Sequence, residues 1–254
     1  MTEDFAFSGR KALVTGAASG IGAATARWLD SHGIAELIVV DLDERRLAEL
    51  DLGCTVQRIA GDVADPELWT AVAAQAAGLD HAVINAGVAA AAPIVDLDLE
   101  QWRKVMATNL DGTFLGLRCS LRAMQAAGGS IVVTASVSGL KAEPGTGAYA
   151  ASKAAALQLA RVAAREAAPR GIRINAIAPG GVDTAIWDQM PFFQELVAQH
   201  GDRGAAMAEM GRMATPLGRY ATADEIAAQI GFLLSPSAAT ITGAVLVSDG
   251  GYSL

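Results

Sequence analysis

The residues Tyr149-Ala-Ala-Ser-Lys153 pair a phenol with an ammonium at a spacing of four. On a helix, residues four apart share a face, so the two groups are predicted to point the same way. A cation beside a phenol favours the phenolate and lowers the tyrosine pKa from its ordinary value of ~10. At a separation of about 4–6 Å and an effective dielectric of ~20, one positive charge is worth roughly 3–4 kcal/mol, or about two pKa units. A tyrosine tuned in this way can give and take a proton near neutrality. The bare pattern also arises by chance on Ala-rich helices, so its meaning depends on what surrounds it.

A second feature lies near the N-terminus. Arg10-Lys11-Ala12-Leu13-Val14 runs into Thr15-Gly16-Ala17-Ala18-Ser19-Gly20-Ile21-Gly22. A short strand is predicted to feed a glycine-rich turn, and the turn to open a helix through Ala23, Ala24, Ala26, Trp28 and Leu29, with Gly33 at its C-cap. Glycines let backbone approach a pyrophosphate, and the helix N-terminus offers that anion free N–H groups and partial positive charge. The spacing is Gly-x-x-x-Gly-x-Gly, unlike the more common Gly-x-Gly-x-x-Gly dinucleotide turn.

The next predicted strand, Leu37–Val40, ends in Asp41, twenty-one residues after Gly20. That is close to the spacing expected of a carboxylate that accepts hydrogen bonds from an adenosine ribose. The same charge would repel a 2′-phosphate by roughly 4 kcal/mol at about 4 Å and an effective dielectric of ~20. NAD is therefore favoured over NADP; Arg45 and Arg46 pull the other way, and Asp43 and Glu44 offset them.

These groups need a frame. Strands are predicted at Ala12–Thr15, Leu37–Val40, Val56–Ala60, His81–Ile84, Ser130–Thr134, Arg173–Ile177 and Val245–Val247. Helices are predicted near Gly20–His32, Glu44–Leu50, Pro66–Ala76, Leu99–Ala126, Tyr149–Ala168 and Ala223–Leu234. The alternation argues for an α/β fold: a Rossmann-like, doubly wound, three-layer parallel sheet of about seven strands. Ligands bind such sheets beyond the carboxyl ends of the strands. No repeat or linker marks a second domain, so residues 1–254 are expected to form one dinucleotide-binding catalytic domain.

In this order, the motifs resemble the short-chain dehydrogenase/reductase family over nearly all 254 residues. Thr15–Gly22 is similar to the family's cofactor turn, so Gly16, Ser19, Gly20, Ile21 and Gly22 are implied to hold the dinucleotide beside Asp41. Asp62-Val63 resembles the pair that meets the adenine. Asn85-Ala86-Gly87 resembles the motif that supports the central strand. Pro179-Gly180-Gly181-Val182-Asp183-Thr184 resembles the loop that meets the nicotinamide carboxamide, which implies contacts from Pro179, Gly180, Val182 and Thr184. Asp249-Gly250-Gly251 is similar to the C-terminal signature. Asn109, Ser136, Tyr149 and Lys153 match the catalytic tetrad, with the family's thirteen-residue step from Ser136 to Tyr149. The resemblance implies that Tyr149 exchanges the substrate proton and that Lys153 lowers its pKa and holds the nicotinamide ribose. It implies that Ser136 stabilises the substrate oxygen and that Asn109 holds a water linking Lys153 to solvent. Ile84 departs from the pattern, where many members carry a second Asn, and is expected to matter for packing more than chemistry.

Composition agrees. Hydrophobic residues make up 52% and charged residues 18%, enough for a large core. The net charge of −8, from 27 acids and 19 basic residues, offers no face for nucleic acid. Cys54 and Cys119 lack metal-site spacing and read as two free thiols in a reducing cytosol, and the scattered His32, His81 and His200 imply no metal. Met1-Thr2-Glu3-Asp4-Phe5 lacks a signal-like pattern, and no apolar run reaches the ~18 residues of a membrane span, so a cytoplasmic protein is expected.

Thr184–Thr215 is long for a connection, and such segments are often lids. Its Ile186, Trp187, Met190, Phe192, Phe193, Leu196, Val197, Met207, Met210 and Met213 either line an apolar pocket, completed by Leu140, Ala142, Val88 and Ala89, or pack the lid itself. The absence of Arg and Lys from Thr184–Glu195 disfavours a strongly anionic substrate, while Arg203 and Arg212 keep one open. The expected activity is NAD-dependent interconversion of a secondary alcohol and a ketone on a bulky hydrophobic or cyclic substrate. Competing readings are an epimerase or dehydratase, an enoyl reductase, and a non-catalytic NAD-binding sensor or scaffold. Only the last would dispense with the tyrosine and lysine. By analogy with the family, a homotetramer packed through Leu99–Ala126 and Tyr149–Ala168 is expected.

Overall fold

The computed structural model describes residues 7–124, 128–188 and 190–254. The acidic start, Met1–Phe5, and the end of the helix expected to reach Ala126 lie outside the described residues. In chain order the elements are β1 (Lys11–Thr15), α1 (Gly20–Ser31), β2 (Glu36–Asp41), α2 (Glu44–Ala48), β3 (Thr55–Ala60), α3 (Pro66–Gln75) and β4 (His81–Ile84). They continue with α4 (Leu99–Met106), α5 (Gly112–Ala123), β5 (Gly129–Thr134), α6 (Gly147–Ala167), β6 (Ile172–Pro179) and β7 (Val182–Asp183). The last are α7 (Pro191–His200), α8 (Arg203–Ala214), β8 (Ala221–Thr222), α9 (Ala223–Leu234) and β9 (Val245–Ser248).

Seven strands form one sheet in the order β3-β2-β1-β4-β5-β6-β9, every pairing parallel. The winding reverses between β1 and β4, which opens a crevice at their carboxyl ends. Successive side chains point to opposite faces of a strand. Leu13, Ile38, Ile84 and Ile131 thus pack with Trp69, Leu115 and Leu157 from α3, α5 and α6. Val14, Val39, Val83 and Val132 pack with Ala26, Leu29, Ile226 and Ile230 from α1 and α9. With both faces covered, the strands read as continuous apolar runs. Ile84 is buried in the first of these clusters, 3.0 Å from the point a Cβ on Gly116 would occupy, so it fills core volume.

Two elements depart from the expected pattern. The long helix after Leu99 is interrupted by a π turn at Ala107–Asp111, between α4 and α5. Residues 184–215 contain the helices α7 and α8, whose Phe193, Ala206 and Met207 form a small core of their own. A short ladder, β7 with β8, ties the start of this region back to α9. No helix among the described residues is long and apolar enough to cross a membrane.

Candidate active site

Because the strand order is 3-2-1-4-5-6, the motifs line up along one edge of the sheet. Asp62 follows β3, Asp41 ends β2, the glycine turn follows β1, Asn85–Gly87 follows β4, Ser136 follows β5 and Pro179 ends β6. Residues as far apart in the chain as Gly16 and Pro179 thereby line one edge of the sheet.

The turn after β1 is held tightly. Thr15 Oγ1 accepts from the Asn85 and Ala86 N–H groups at 2.9 and 3.1 Å, and Asn85 Nδ2 donates to the Thr15 carbonyl at 3.1 Å. A Cβ on Gly22 would stand 2.0 Å from the Gly16 carbonyl oxygen, and one on Gly16 would stand 2.9 Å from the Ala86 Cα. Gly16 also has a φ of +67°. These two glycines therefore serve the close packing of turn, helix and sheet, not only approach to a ligand. Gly20 faces outward, toward the Thr184 methyl, 3.4 Å from the point its Cβ would take.

Ser19 precedes α1 in an extended conformation, yet its side chain makes no cap hydrogen bond, and the first turn holds no acid. Asp43, Asp65, Asp98, Asp202 and Thr222 cap their helices, while α5, α6 and α7 share with α1 the lack of a side-chain cap. The start of α1 is left open to an anion, which fits a dinucleotide pyrophosphate. Asp41 accepts from the Ala18 N–H at 2.9 Å through Oδ2 and from the Asp43 N–H at 3.0 Å through Oδ1. One carboxylate thus fixes the turn and keeps lone pairs for hydroxyl donors. Arg45 pairs with Glu49 and Arg46 with Asp43. Asp62 is exposed and caps the Ala64 N–H, while Val63 is buried and its carbonyl accepts from the Trp69 indole at 2.9 Å.

Ser136, Tyr149 and Lys153 gather at the ends of β5 and α6. Gly139 lies so close to α6 that a Cβ there would stand 2.8 Å from the Ala154 nitrogen and the Lys153 carbonyl carbon. The turn carrying Ser136 is thereby seated on the helix carrying Tyr149. Ser136 Oγ accepts from the Ser138 N–H at 3.1 Å, and its hydroxyl lies near enough to Tyr149 to lower the phenol's pKa. Lys153 is buried, donates to the Thr134 carbonyl at 2.9 Å, and lies 5.7 Å from the Tyr149 ring centroid.

The electrostatics differ from the sequence expectation. Burial raises the Tyr149 pKa above its ordinary value, and the Ser136 hydrogen bond opposes this. Burial also pushes Lys153 down to about 8. The expected lowering of Tyr149 by the ammonium does not emerge in the free protein. Burial penalises the phenolate, and the ammonium, which gives one N–H to the Thr134 carbonyl and lies 5.7 Å from the ring centroid, does not offset it.

Asn109 is fully buried on the π turn, an irregularity common at functional sites. Its Nδ2 donates to the Val88 carbonyl at 2.9 Å and to Ser152 Oγ at 3.0 Å, and its Oδ1 accepts from the Val88 N–H at 2.8 Å. Both amide protons are therefore committed, and the side chain braces the segment after β4 against α6. Asn109 Oδ1 and Lys153 Nζ each come within 3.2 Å of the point a Cβ on Gly87 would occupy. Pro179 and Val182 are buried, and Gly180 and Thr184 partly so. Sequence reasoning missed Ser152, although a hydroxyl between Tyr149 and Lys153 on a helical face was a usable signal. It also missed the Thr134 carbonyl, for which a sequence carries no sign.

The apolar residues of 184–215 divide: Phe193 and Met207 are buried in the small core of α7 and α8, while Ile186, Phe192 and Met213 stay exposed, as does Leu140. Arg203 pairs with Asp183 and Asp188, and Arg212 with Glu209.

A family model described as enoyl-(acyl carrier protein) reductase matches residues 16–253. The chain is 40% identical to a cis-4-hydroxycyclohexanecarboxylate dehydrogenase of Sinomonas cyclohexanicum, over 98% of each chain. It is 41% identical to a galactitol 2-dehydrogenase (L-tagatose-forming) of Cereibacter sphaeroides, over 98% of this chain and 97% of that one. A crystal structure of a short-chain type dehydrogenase/reductase from Mycobacterium marinum superposes with a TM-score of 0.85 at 30% identity, covering 98% and 97% of the two chains. With its parallel sheet, its open α1 terminus and these full-length likenesses, the chain belongs to the short-chain dehydrogenase/reductase family, and it is an alcohol dehydrogenase/ketone reductase that uses a nicotinamide cofactor.

Proposed function

We propose that the protein uses NAD to interconvert a secondary alcohol and a ketone on a bulky, uncharged hydrophobic or cyclic substrate, with Asn109, Ser136, Tyr149 and Lys153 as the working set. One observation carries this reading: a Ser136–Tyr149 hydroxyl pair stands beside a buried ammonium, on the same sheet edge as an uncapped helix start.

Bound nicotinamide supplies or accepts the hydride. Tyr149 gives a proton to the ketone oxygen, or takes one from the alcohol. Ser136 donates to that oxygen as charge develops. Lys153, when protonated, favours the phenolate against the burial that raises the Tyr149 pKa, and Asn109 holds the α6 turn that carries Tyr149 in place. The cofactor is held by Gly16, Ser19, Gly20, Ile21 and Gly22 at the pyrophosphate, Asp41 at the ribose and Asp62 and Val63 at the adenine. Asn85, Ala86, Gly87, Tyr149, Lys153, Pro179, Gly180, Val182 and Thr184 surround the nicotinamide half.

NAD over NADP is supported by the fixed Asp41 carboxylate, whose charge repels a 2′-phosphate, and by the acids beside Arg45 and Arg46. An uncharged substrate is supported by the commitment of Arg203 and Arg212 to carboxylates and by the exposed Ile186, Phe192 and Leu140. Residues 184–215 act as a lid on the single domain. Exposed Phe114 and Val162 on α5 and α6 support packing of these helices in a homotetramer. A cytoplasmic setting agrees with two unbridged thiols.

The test is the near-ultraviolet absorbance of reduced nicotinamide in the presence of NAD or NADP and a panel of cyclic alcohols, polyols and hydroxycyclohexane carboxylates. Neutral cyclic alcohols with NAD should give the highest kcat/KM. Tyr149→Phe should lower kcat by roughly 10²–10⁴-fold while cofactor binding persists. Full activity in that variant would overturn the assignment.

A further inference from the structure

Arg203, the first residue of α8, binds three acceptors within six consecutive residues. Its Nη1 donates to Asp183 Oδ1 at 2.6 Å, its Nε to Asp188 Oδ1 at 2.7 Å and its Nη2 to the Thr184 carbonyl at 3.0 Å. The guanidinium carbon lies 5.8 Å from the centroid of the Phe193 ring, which belongs to the buried core of α7 and α8. One planar group therefore grips the chain on both sides of Thr184 and rests on the lid. A lysine could not do the same, because a single ammonium lacks the rigid fork that reaches three acceptors at fixed angles.

The grip has a direction. The Thr184 methyl lies 3.4 Å from the point a Cβ on Gly20 would occupy, so Thr184 sits over the turn that opens α1. The loop is held from its other side by the β7–β8 ladder and by the Trp187 indole, which donates to the Val182 carbonyl at 2.8 Å. Arg203 supplies the ionic contact between this loop and α8, beside the packing of Trp187 against the core that holds Ala206 and Met207. Its side chain and both carboxylates are 40–45% exposed, so the pairs are screened and add little to global stability. What they govern is position. Without the guanidinium, Asp183 and Asp188 would repel across the short turn Ala185–Trp187.

We propose that Arg203 is a positioning residue, a latch that fixes the Asp183–Asp188 segment to the lid and so sets the height of Thr184 over the glycine turn. The proposal rests on the reading of Thr184 as a cofactor contact. It makes cofactor retention depend on a residue of the lid that lies outside the catalytic set.

The test is equilibrium binding of NADH, followed by nicotinamide fluorescence, together with steady-state kinetics and thermal melting. Arg203→Ala should raise the dissociation constant and the cofactor KM by about 10-fold, with Tm within a few degrees of wild type. The pH profile of kcat, set at Tyr149 and Lys153, should not move. Arg203→Lys should recover only part of the affinity. Asp183→Asn and Asp188→Asn should each weaken binding, and adding either to Arg203→Ala should cost less than it does in wild type. Wild-type affinity in Arg203→Ala overturns the latch while leaving the enzyme's activity standing. Should that variant fail to fold, unchanged affinity in both Asp183→Asn and Asp188→Asn overturns it equally. A wild-type protein that binds no NADH at all brings down the reading of the cofactor site and the latch with it.

Discussion

Asn109 on the π turn donates to Ser152 Oγ at 3.0 Å, and Ser152 Oγ donates in turn to the Tyr149 carbonyl at 2.7 Å. Two residues 43 positions apart thus fix the first turn of α6. Asn109→Ala would strand the Val88 N–H and carbonyl and a buried serine. A loss of about 2–4 kcal/mol is expected, from buried groups left unpaired. Urea unfolding should show it, with kcat falling more than KM. Ser152→Ala should cost less, about 1 kcal/mol.

Lys153 imposes a cost on the free protein. Its pKa is about 8 when folded, against an ordinary 10.5, so the native state disfavours the charged form. The unfolded chain binds the extra proton between those values. Stability therefore rises with pH across that window, and the full penalty of about 3 kcal/mol stands below pH ~8. Lys153→Met should raise Tm at neutral pH and abolish turnover. An unchanged or lower Tm would contradict this account.

His81 should make the fold acid-sensitive. Ser130 Oγ donates to the Leu234 carbonyl at 2.8 Å, so the 2.8 Å contact between Ser130 Oγ and His81 Nδ1 places the ring proton on Nδ1. Nε2 is buried without a partner among the described residues, and the ring meets Phe7 edge-on. Burial lowers the His81 pKa from 6.5 to about 4. The unfolded chain takes up the proton first, so stability is complete above pH ~6.5 and falls by about 3 kcal/mol as pH drops to ~4. Urea midpoints measured across that range should fall in wild type and stay flatter in His81→Gln.

Asp41 should set cofactor choice. Asp41→Ala removes the charge that repels a 2′-phosphate, worth about 4 kcal/mol at close range, and also frees the Ala18 N–H. The ratio of kcat/KM for NAD over NADP should fall by at least ~10²-fold, mostly through loss with NAD and gain with NADP. A constant ratio would show that selectivity lies elsewhere.

Much of the architecture was legible because it is local. Apolar runs such as Leu37–Val40 and Ile131–Val133 must be buried, and the glycine turn between β1 and α1 announces its own geometry. The strand-end positions of Asp41, Ser136 and Pro179 followed from the same periodicity, whereas the tetrad was read from the family resemblance. The π turn was hidden, since one extra residue in a helix leaves no mark in composition. The short β7–β8 ladder was hidden because two-residue strands carry no period.

Sequence alone determined the seven sheet strands and the helices that alternate with them, the chemistry-bearing side chains and the neighbourhood of Tyr149 and Lys153 on one helix. Tertiary structure decided what those side chains do at rest. Burial raised Tyr149, the Thr134 carbonyl claimed the lysine, and Asp183 and Asp188 claimed Arg203. Desolvation and long-range hydrogen bonds depend on which atoms the fold brings within about 3 Å, and spacing along a chain does not encode that distance.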